Sequence, residues 1–212
     1  MEYKNRIADK LLRDKLEAMG AVLIEGPKAC GKTTTAEQQA KSIIYMDDPV
    51  KQEQYKQMAQ TNIRFLLEGE TPRLIDEWQH VPQFWDAIRF EVDHRDDDGQ
   101  FMLTGSAVPA DMKEIHHTGT GRYGWLTMRP MSLWESGEST GEVSLSDLFL
   151  TPDRIGALNK LTLPMLAFAA CRGGWPKSLQ KKTEKAALSQ VTEYYKAITN
   201  SDISRVDNVK RD

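Results

Sequence analysis

The reading of this chain turns on Ala21-Val22-Leu23-Ile24-Glu25-Gly26-Pro27-Lys28-Ala29-Cys30-Gly31-Lys32-Thr33-Thr34. Its four consecutive apolar residues read as a short strand buried on both faces, and the run stops at Gly26. From Lys32 to about Lys41 the chain reads as a helix. Between them the octad from Gly26 to Thr33 fits GxxxxGK[ST], the pattern of a phosphate-binding loop. A strand before and a helix after are the setting that this loop requires. Its backbone N–H groups then wrap an anion, and the helix start adds the positive end of its dipole.

Within that loop each residue has a stated task. Gly26 and Gly31 allow the turn and the close approach of backbone to phosphate. Lys32 supplies a point charge to the outer phosphates, and the hydroxyl of Thr33 suits Mg2+. Lys28 and Cys30 are variable positions of the motif, with no redox role for Cys30, and Pro27, Ala29 and Thr34 complete the candidate nucleotide-binding set.

Outward from the loop, strands alternate with helices. Ile7, Ala8, Leu11, Leu12, Leu16 and Met19 recur at helical spacing ahead of Gly20. On the other side Ile43 to Met46 reads as a second strand, residues 50 to 68 as one or two helices, and Leu74-Ile75 as a third strand. Pro82 opens a helix whose apolar face is Phe84, Trp85, Ile88 and Val92. Phe101 to Leu103 and Tyr123 to Met128 read as the fourth and fifth strands. This order predicts an α/β domain with a mostly parallel sheet flanked by helices.

After Ser132 the pattern breaks up around Gly137 and Gly141, with a short helix over 143 to 150. Two domains are expected: a P-loop core over 1–135, and a helical extension over 136–212 that reads as the start of a second domain. The run from Leu161 to Cys171 is almost wholly apolar and too short to cross a bilayer, so it predicts a buried helix. Ala187, Val191, Tyr194 and Ile198 mark an amphipathic helix before a polar tail from Ser201 to Asp212.

Two further strand ends carry chemistry. Arg73-Leu74-Ile75-Asp76-Glu77 places a pair of carboxylates where ligands of open parallel sheets bind. Asp76 suits an indirect hold on Mg2+, and Glu77 suits polarising an attacking water. Thr104-Gly105-Ser106 ends the fourth strand in the same way, and either hydroxyl is a candidate to meet the γ-phosphate or the water, Thr104 being nearer the strand. Arg122 is a candidate to stabilise charge on a transferring phosphoryl group, in its own chain or in a neighbouring subunit.

Composition excludes several classes. With 212 residues, 40% hydrophobic and 28% charged, the chain can bury an ordinary core. A net charge of -3 offers no global basic field for nucleic acid or an anionic membrane. From Lys177 onward there are eight Lys/Arg against five Asp/Glu, a pattern that reads as a solvated helix face. Cys30 and Cys171 lack metal or disulfide spacing and point to a reducing, cytoplasmic compartment. His80, His94, His116 and His117 have no metal-ligand spacing either.

Several motifs in order carry a resemblance. They are Ile24 to Lys28, Leu74-Ile75-Asp76-Glu77-Trp78-Gln79, Phe101 to Ser106, Gly121-Arg122, Pro130-Met131-Ser132-Leu133-Trp134-Glu135 and Gly173-Gly174-Trp175-Pro176. On these the chain resembles the bacterial and archaeal AAA+-like ATPases that join an N-terminal ATPase domain to a poorly characterised C-terminal domain. The resemblance implies ATP rather than GTP. It implies that Asp76 and Glu77 are the metal and water-activating acids, that Thr104 lies in a sensor segment, and that Arg122 is an arginine finger. It also implies a longer chain whose second domain begins near Gly173 to Pro176, so this chain is expected to be truncated.

The function expected is therefore a Mg2+-dependent ATPase that couples its nucleotide state to a partner protein, a second copy or nucleic acid. Two alternatives stand beside it: a switch that binds ATP without hydrolysis, and a small-molecule kinase, although no Arg-rich lid is visible. Asn159-Lys160-Leu161-Thr162 lacks the Asp of a guanine-reading NKxD, which argues against GTP.

Overall fold

The computed structural model describes residues 3–105, 118–154, 156–158 and 160–202. They fall into two compact units, Arg6–Arg129 and the described residues of Met1–Asn5 with Pro130–Asp212. Ser106, His116, His117, Asn159 and most of the polar tail, all singled out in the sequence, lie outside the described residues.

The first unit is built on five parallel strands in the order β2-β3-β4-β1-β5. These are β1 (Ala21–Glu25), β2 (Ser42–Tyr45), β3 (Arg73–Asp76), β4 (Phe101–Thr104) and β5 (Tyr123–Thr127). β1, β3 and β4 are central, and they are buried along nearly their whole length because both of their faces are covered. The helices are α1 (Ile7–Leu16), α2 (Lys32–Glu37), α3 (Gln52–Asn62), α4 (Arg64–Leu67) and α5 (Phe84–Arg95).

Alternation along the strands divides the core between two layers. Ala21, Leu23, Ile75, Phe101, Leu103 and Tyr123 face one way, onto Phe84, Trp85 and Ile88 of α5 with Leu66 and Leu67 of α4. On the other face, Gly124 of β5 lies against Lys15 and Met19, at and beyond the end of α1. Tyr123 stacks on Trp85 with ring centroids 4.0 Å apart, and its buried hydroxyl donates to the Trp85 carbonyl at 2.7 Å. An aromatic phenol can sit this deep only with such a partner.

α2 is shorter than its sequence suggests. It ends at Glu37, where Gln38 and Gln39 N–H groups bond three residues back, to Thr35 and Ala36. Residues 50 to 68 resolve into two helices, α3 and α4. Among the described residues no helix is long and apolar enough to cross a membrane.

In the second unit, α6 (Leu133–Ser136) opens on a capping box. Glu135 accepts from the Ser132 N–H at 2.7 Å and donates its own N–H to the Ser132 hydroxyl at 3.3 Å, which accounts locally for the Ser-Leu-Trp-Glu motif. α7 (Leu145–Leu150), α8 (Leu163–Arg172), α9 (Pro176–Leu179) and α10 (Glu184–Ala197) follow. Thr162 caps α8 and Thr183 caps α10.

One expectation fails here. α8 forms where predicted, but it is not a buried helix: Leu163 is 80% exposed, Met165 50% and Leu166 45%, and only Ala169 and Arg172 of its residues are buried. A helix that is apolar all round needs cover on every side. Within the described residues of its unit, α8 has cover on the Ala169–Arg172 side alone.

Candidate nucleotide site

The parallel sheet brings three strand ends to one edge. β1 runs into the loop at Gly26, β3 ends on Asp76 and β4 on Thr104, and the register places Asp76 directly beside Thr104. Ligands of open α/β sheets bind at this carboxyl edge.

The loop's conformation depends on its small residues. Gly26 has φ +150°, and a Cβ there would stand 2.1 Å from the Met128 carbonyl oxygen. Gly31 has φ 103° and Ala29 φ 61°, both left-handed. Pro27, Lys28, Ala29 and Thr34 are exposed, while Cys30 is buried. Lys32 folds back over the loop, and its buried side chain donates to the carbonyls of Gly26 at 2.9 Å and Pro27 at 3.1 Å.

Asp76 is the centre of the site. Its Oδ1 accepts from the Thr33 hydroxyl at 2.7 Å and from the Thr104 hydroxyl at 2.5 Å. Burial pushes its carboxyl above the usual carboxylate range, and the two hydroxyl bonds pull against that shift. A hydroxyl and a carboxylate side by side make a hard-oxygen donor set of the kind that Mg2+ takes.

Glu77 follows in a left-handed conformation, φ 52° and ψ 45°. Its carboxylate accepts from the side-chain amide of Gln79. A non-glycine residue with positive φ is uncommon, and such residues gather at functional sites.

Arg122 stands apart from these residues. Its carbonyl accepts from the Ala21 N–H at 3.1 Å, which puts it at the start of β5, beside the first residue of β1. The loop lies past the last residue of β1, about 15 Å away along a five-residue strand. The Arg122 guanidinium is exposed and pairs with Asp93 at 2.7 Å, holding that carboxyl below its usual range.

Three contributions at this edge escaped the sequence reading. Arg6, buried at the start of α1, donates to the Cys30 carbonyl at 3.0 Å and to the Arg129 carbonyl at 2.7 Å, bracing the loop from below. An arginine where a helix cap is usually Ser, Thr or Asp is the only trace of this in the sequence. Tyr45, at the end of β2, donates to Glu37 of α2 at 2.7 Å, and that bond pushes its phenol up to about 12. Gln79 stands two residues past Glu77, inside a quoted motif, but nothing in its spacing tells which way its amide points.

With this geometry in view, comparison with known proteins gives the following. A family model described as an AAA domain matches residues 19–136. No curated protein matches the chain. Among solved structures, the Walker-type ATPase PABY2304 of Pyrococcus abyssi is similar over 97% of this chain and 76% of its own, with 13% identity and a TM-score of 0.53, a likeness of fold. AMPPCP-bound DnaA from Aquifex aeolicus matches over 97% of this chain and 65% of its own, with 12% identity and a TM-score of 0.48. PCH-2 of C. elegans matches over 88% and 66%, with 15% identity and a TM-score of 0.40.

Proposed function

The chain belongs to the AAA domain family, and from that premise we propose that this nucleotide-binding P-loop domain binds ATP with Mg2+ and hydrolyses it, passing its nucleotide state to a partner. The observation that carries the reading is the bond from Thr33 in the phosphate loop to Asp76 at the end of β3, because it joins the two oxygen donors that a metal–triphosphate needs.

In this reading the loop's N–H groups from Gly26 to Thr34 bind the phosphates, and Lys32 exchanges the carbonyls of Gly26 and Pro27 for phosphate oxygens. Thr33 and Asp76 hold Mg2+, which when bound neutralises charge on the phosphates. Glu77 takes the proton of the attacking water as its oxygen bonds to the γ-phosphorus and ADP leaves. Thr104, tied to Asp76, carries the state of the site to β4. Arg122 is assigned to the site of a neighbouring copy, a role favoured by its exposure and by the sheet length between it and its own loop.

A second copy or a partner protein is the proposed receiver of that state. The cytoplasm is the proposed compartment, supported by two free thiols, Cys30 and Cys171.

Phosphate release from Mg2+-ATP, measured against protein concentration, tests the reading. Slow turnover is expected in the wild type, with binding kept and turnover lost in Glu77→Gln. Unchanged turnover in that variant would sink the role of Glu77. Tight ATP binding with no release at any concentration would replace the enzyme by a switch, and phosphate appearing on an acceptor would make it a kinase.

A further inference from the structure

The carboxamide of Gln79 is held in an unusual way. Its Nε2 donates to Glu77 Oε2, while its Oε1 is buried and has no hydrogen-bond partner among the described residues. That oxygen lies against Gly105, the residue after β4, so closely that a Cβ on Gly105 would come within 2.4 Å of it. The indole Nε1 of buried Trp78 borders the same spot, 3.3 Å from that Cβ position.

A side chain here for packing alone would be better apolar. Burying an amide oxygen without a donor loses its hydrogen bonds to water, and buried unpaired polar atoms are few in native structures. What the amide provides in return is a donor aimed at the carboxylate of Glu77. Glu77 sits on a left-handed turn beyond the last strand residue, where the ladder of β3 no longer controls its direction. The missing side chain of Gly105 leaves the room in which the amide is seated.

We propose that Gln79 is a positioning residue for hydrolysis: seated against Gly105, its amide N–H fixes the carboxylate of Glu77 in the orientation that activates water. The inference rests on the ATPase reading and on Glu77 as its base. It also explains why the sheet edge carries glycine directly after Thr104. Any side chain at position 105 displaces the Gln79 carboxamide and removes its hold on the Glu77 carboxylate.

Steady-state ATP turnover and fluorescent-ATP binding test it in wild type, Glu77→Gln, Gln79→Ala, Gln79→Glu, Gly105→Ala and the Gln79→Ala/Gly105→Ala double variant, each with a thermal melt. Gln79→Ala should lower kcat about tenfold, with KM and nucleotide affinity within about twofold, the pattern of a group that acts only on the chemical step. Gln79→Glu keeps the size but loses the donor and sets a second negative charge beside Glu77, so its kcat should fall at least as far. Gly105→Ala should reproduce the fall with Gln79 intact, and the double variant should be no slower than either single one, because all act through one contact.

A wild-type kcat in Gln79→Ala, with turnover abolished in Glu77→Gln, overturns the positioning role and leaves the ATPase standing. So does a loss of nucleotide affinity and melting temperature in step with kcat, or full additivity in the double variant. Absence of turnover in the wild type overturns both.

Discussion

The Thr33 hydroxyl donates to Asp76 Oδ1 across 2.7 Å, which ties the phosphate loop to the end of β3 although 43 positions separate the two residues. Thr104 donates to the same oxygen from β4. One carboxylate oxygen therefore links the end of β3 with the residues that follow β1 and end β4, and a change at any of the three should be felt by the others.

Thr104→Val keeps the shape of the side chain and removes one of the two hydroxyl donors of a buried acid. Urea unfolding should show a loss of about 1–3 kcal/mol, the usual cost of a buried group losing its partner. ATP affinity should hold while phosphate release slows. A variant as stable and as fast as the wild type would remove Thr104 from the site.

Thr33→Ala leaves the backbone cradle intact and removes the hydroxyl proposed for Mg2+. Titration with fluorescent ATP should show binding that no longer strengthens on adding Mg2+, with affinity in EDTA close to that of the wild type. Equal Mg2+ enhancement in both proteins would exclude Thr33 as a ligand.

Lys32→Ala takes away the ammonium that spans the carbonyls of Gly26 and Pro27. Hydrogen bonds to charged groups are worth about 1.5–3 kcal/mol, so ATP affinity should fall by about one to two orders of magnitude in the same titration. A fall below threefold would mean that the backbone alone holds the phosphates.

The two thiols should separate cleanly in a labelling experiment. Cys30 is buried, burial pushes its pKa up, and Cys171 is exposed. A thiol reagent should modify one equivalent quickly in the folded protein and the second only on unfolding. Mapping of the fast label to Cys30 would contradict the packing of the loop.

In the second unit Arg172 makes a two-pronged ion pair with Glu138, at 2.6 and 2.9 Å, and holds that carboxyl below its ordinary range. A depressed acid pKa stabilises the folded state above the unfolded value, and that stability is lost as pH falls through the folded value. Glu138→Gln should therefore cost about 2 kcal/mol near neutrality, and the deficit should vanish in acid once Glu138 of the wild type is protonated. A deficit independent of pH would assign it to packing instead.

The parts of the site legible in the sequence are those whose geometry is local. Gly26 and Gly31 mark the loop because their φ angles are ones that side chains rarely adopt. Asp76 and Thr104 were readable as strand-end residues, since strands of a parallel sheet all deliver their last residues to one edge. Their sharing of one oxygen follows from the β3–β4 register, which pairs Asp76 with Thr104 and which no spacing along the chain encodes.

Arg122 shows the limit most clearly. Its place just before the fifth strand is legible in the sequence, but only the parallel pairing of Ala21 with Tyr123 puts that strand start at the sheet edge opposite the loop. The same holds for α8, whose apolar run predicted a helix correctly but said nothing of what would cover it.

By itself, then, the sequence determined a strand, a phosphate loop and a helix in order, and the carboxylates and hydroxyl that end neighbouring strands, because periodicity and glycine conformations act over a few residues. Tertiary structure alone decided which of those ends meet, that Arg122 is remote from its own loop, and that Gln79 reaches Glu77 over a glycine. Those are matters of register and of direction in space, set by how the whole sheet packs.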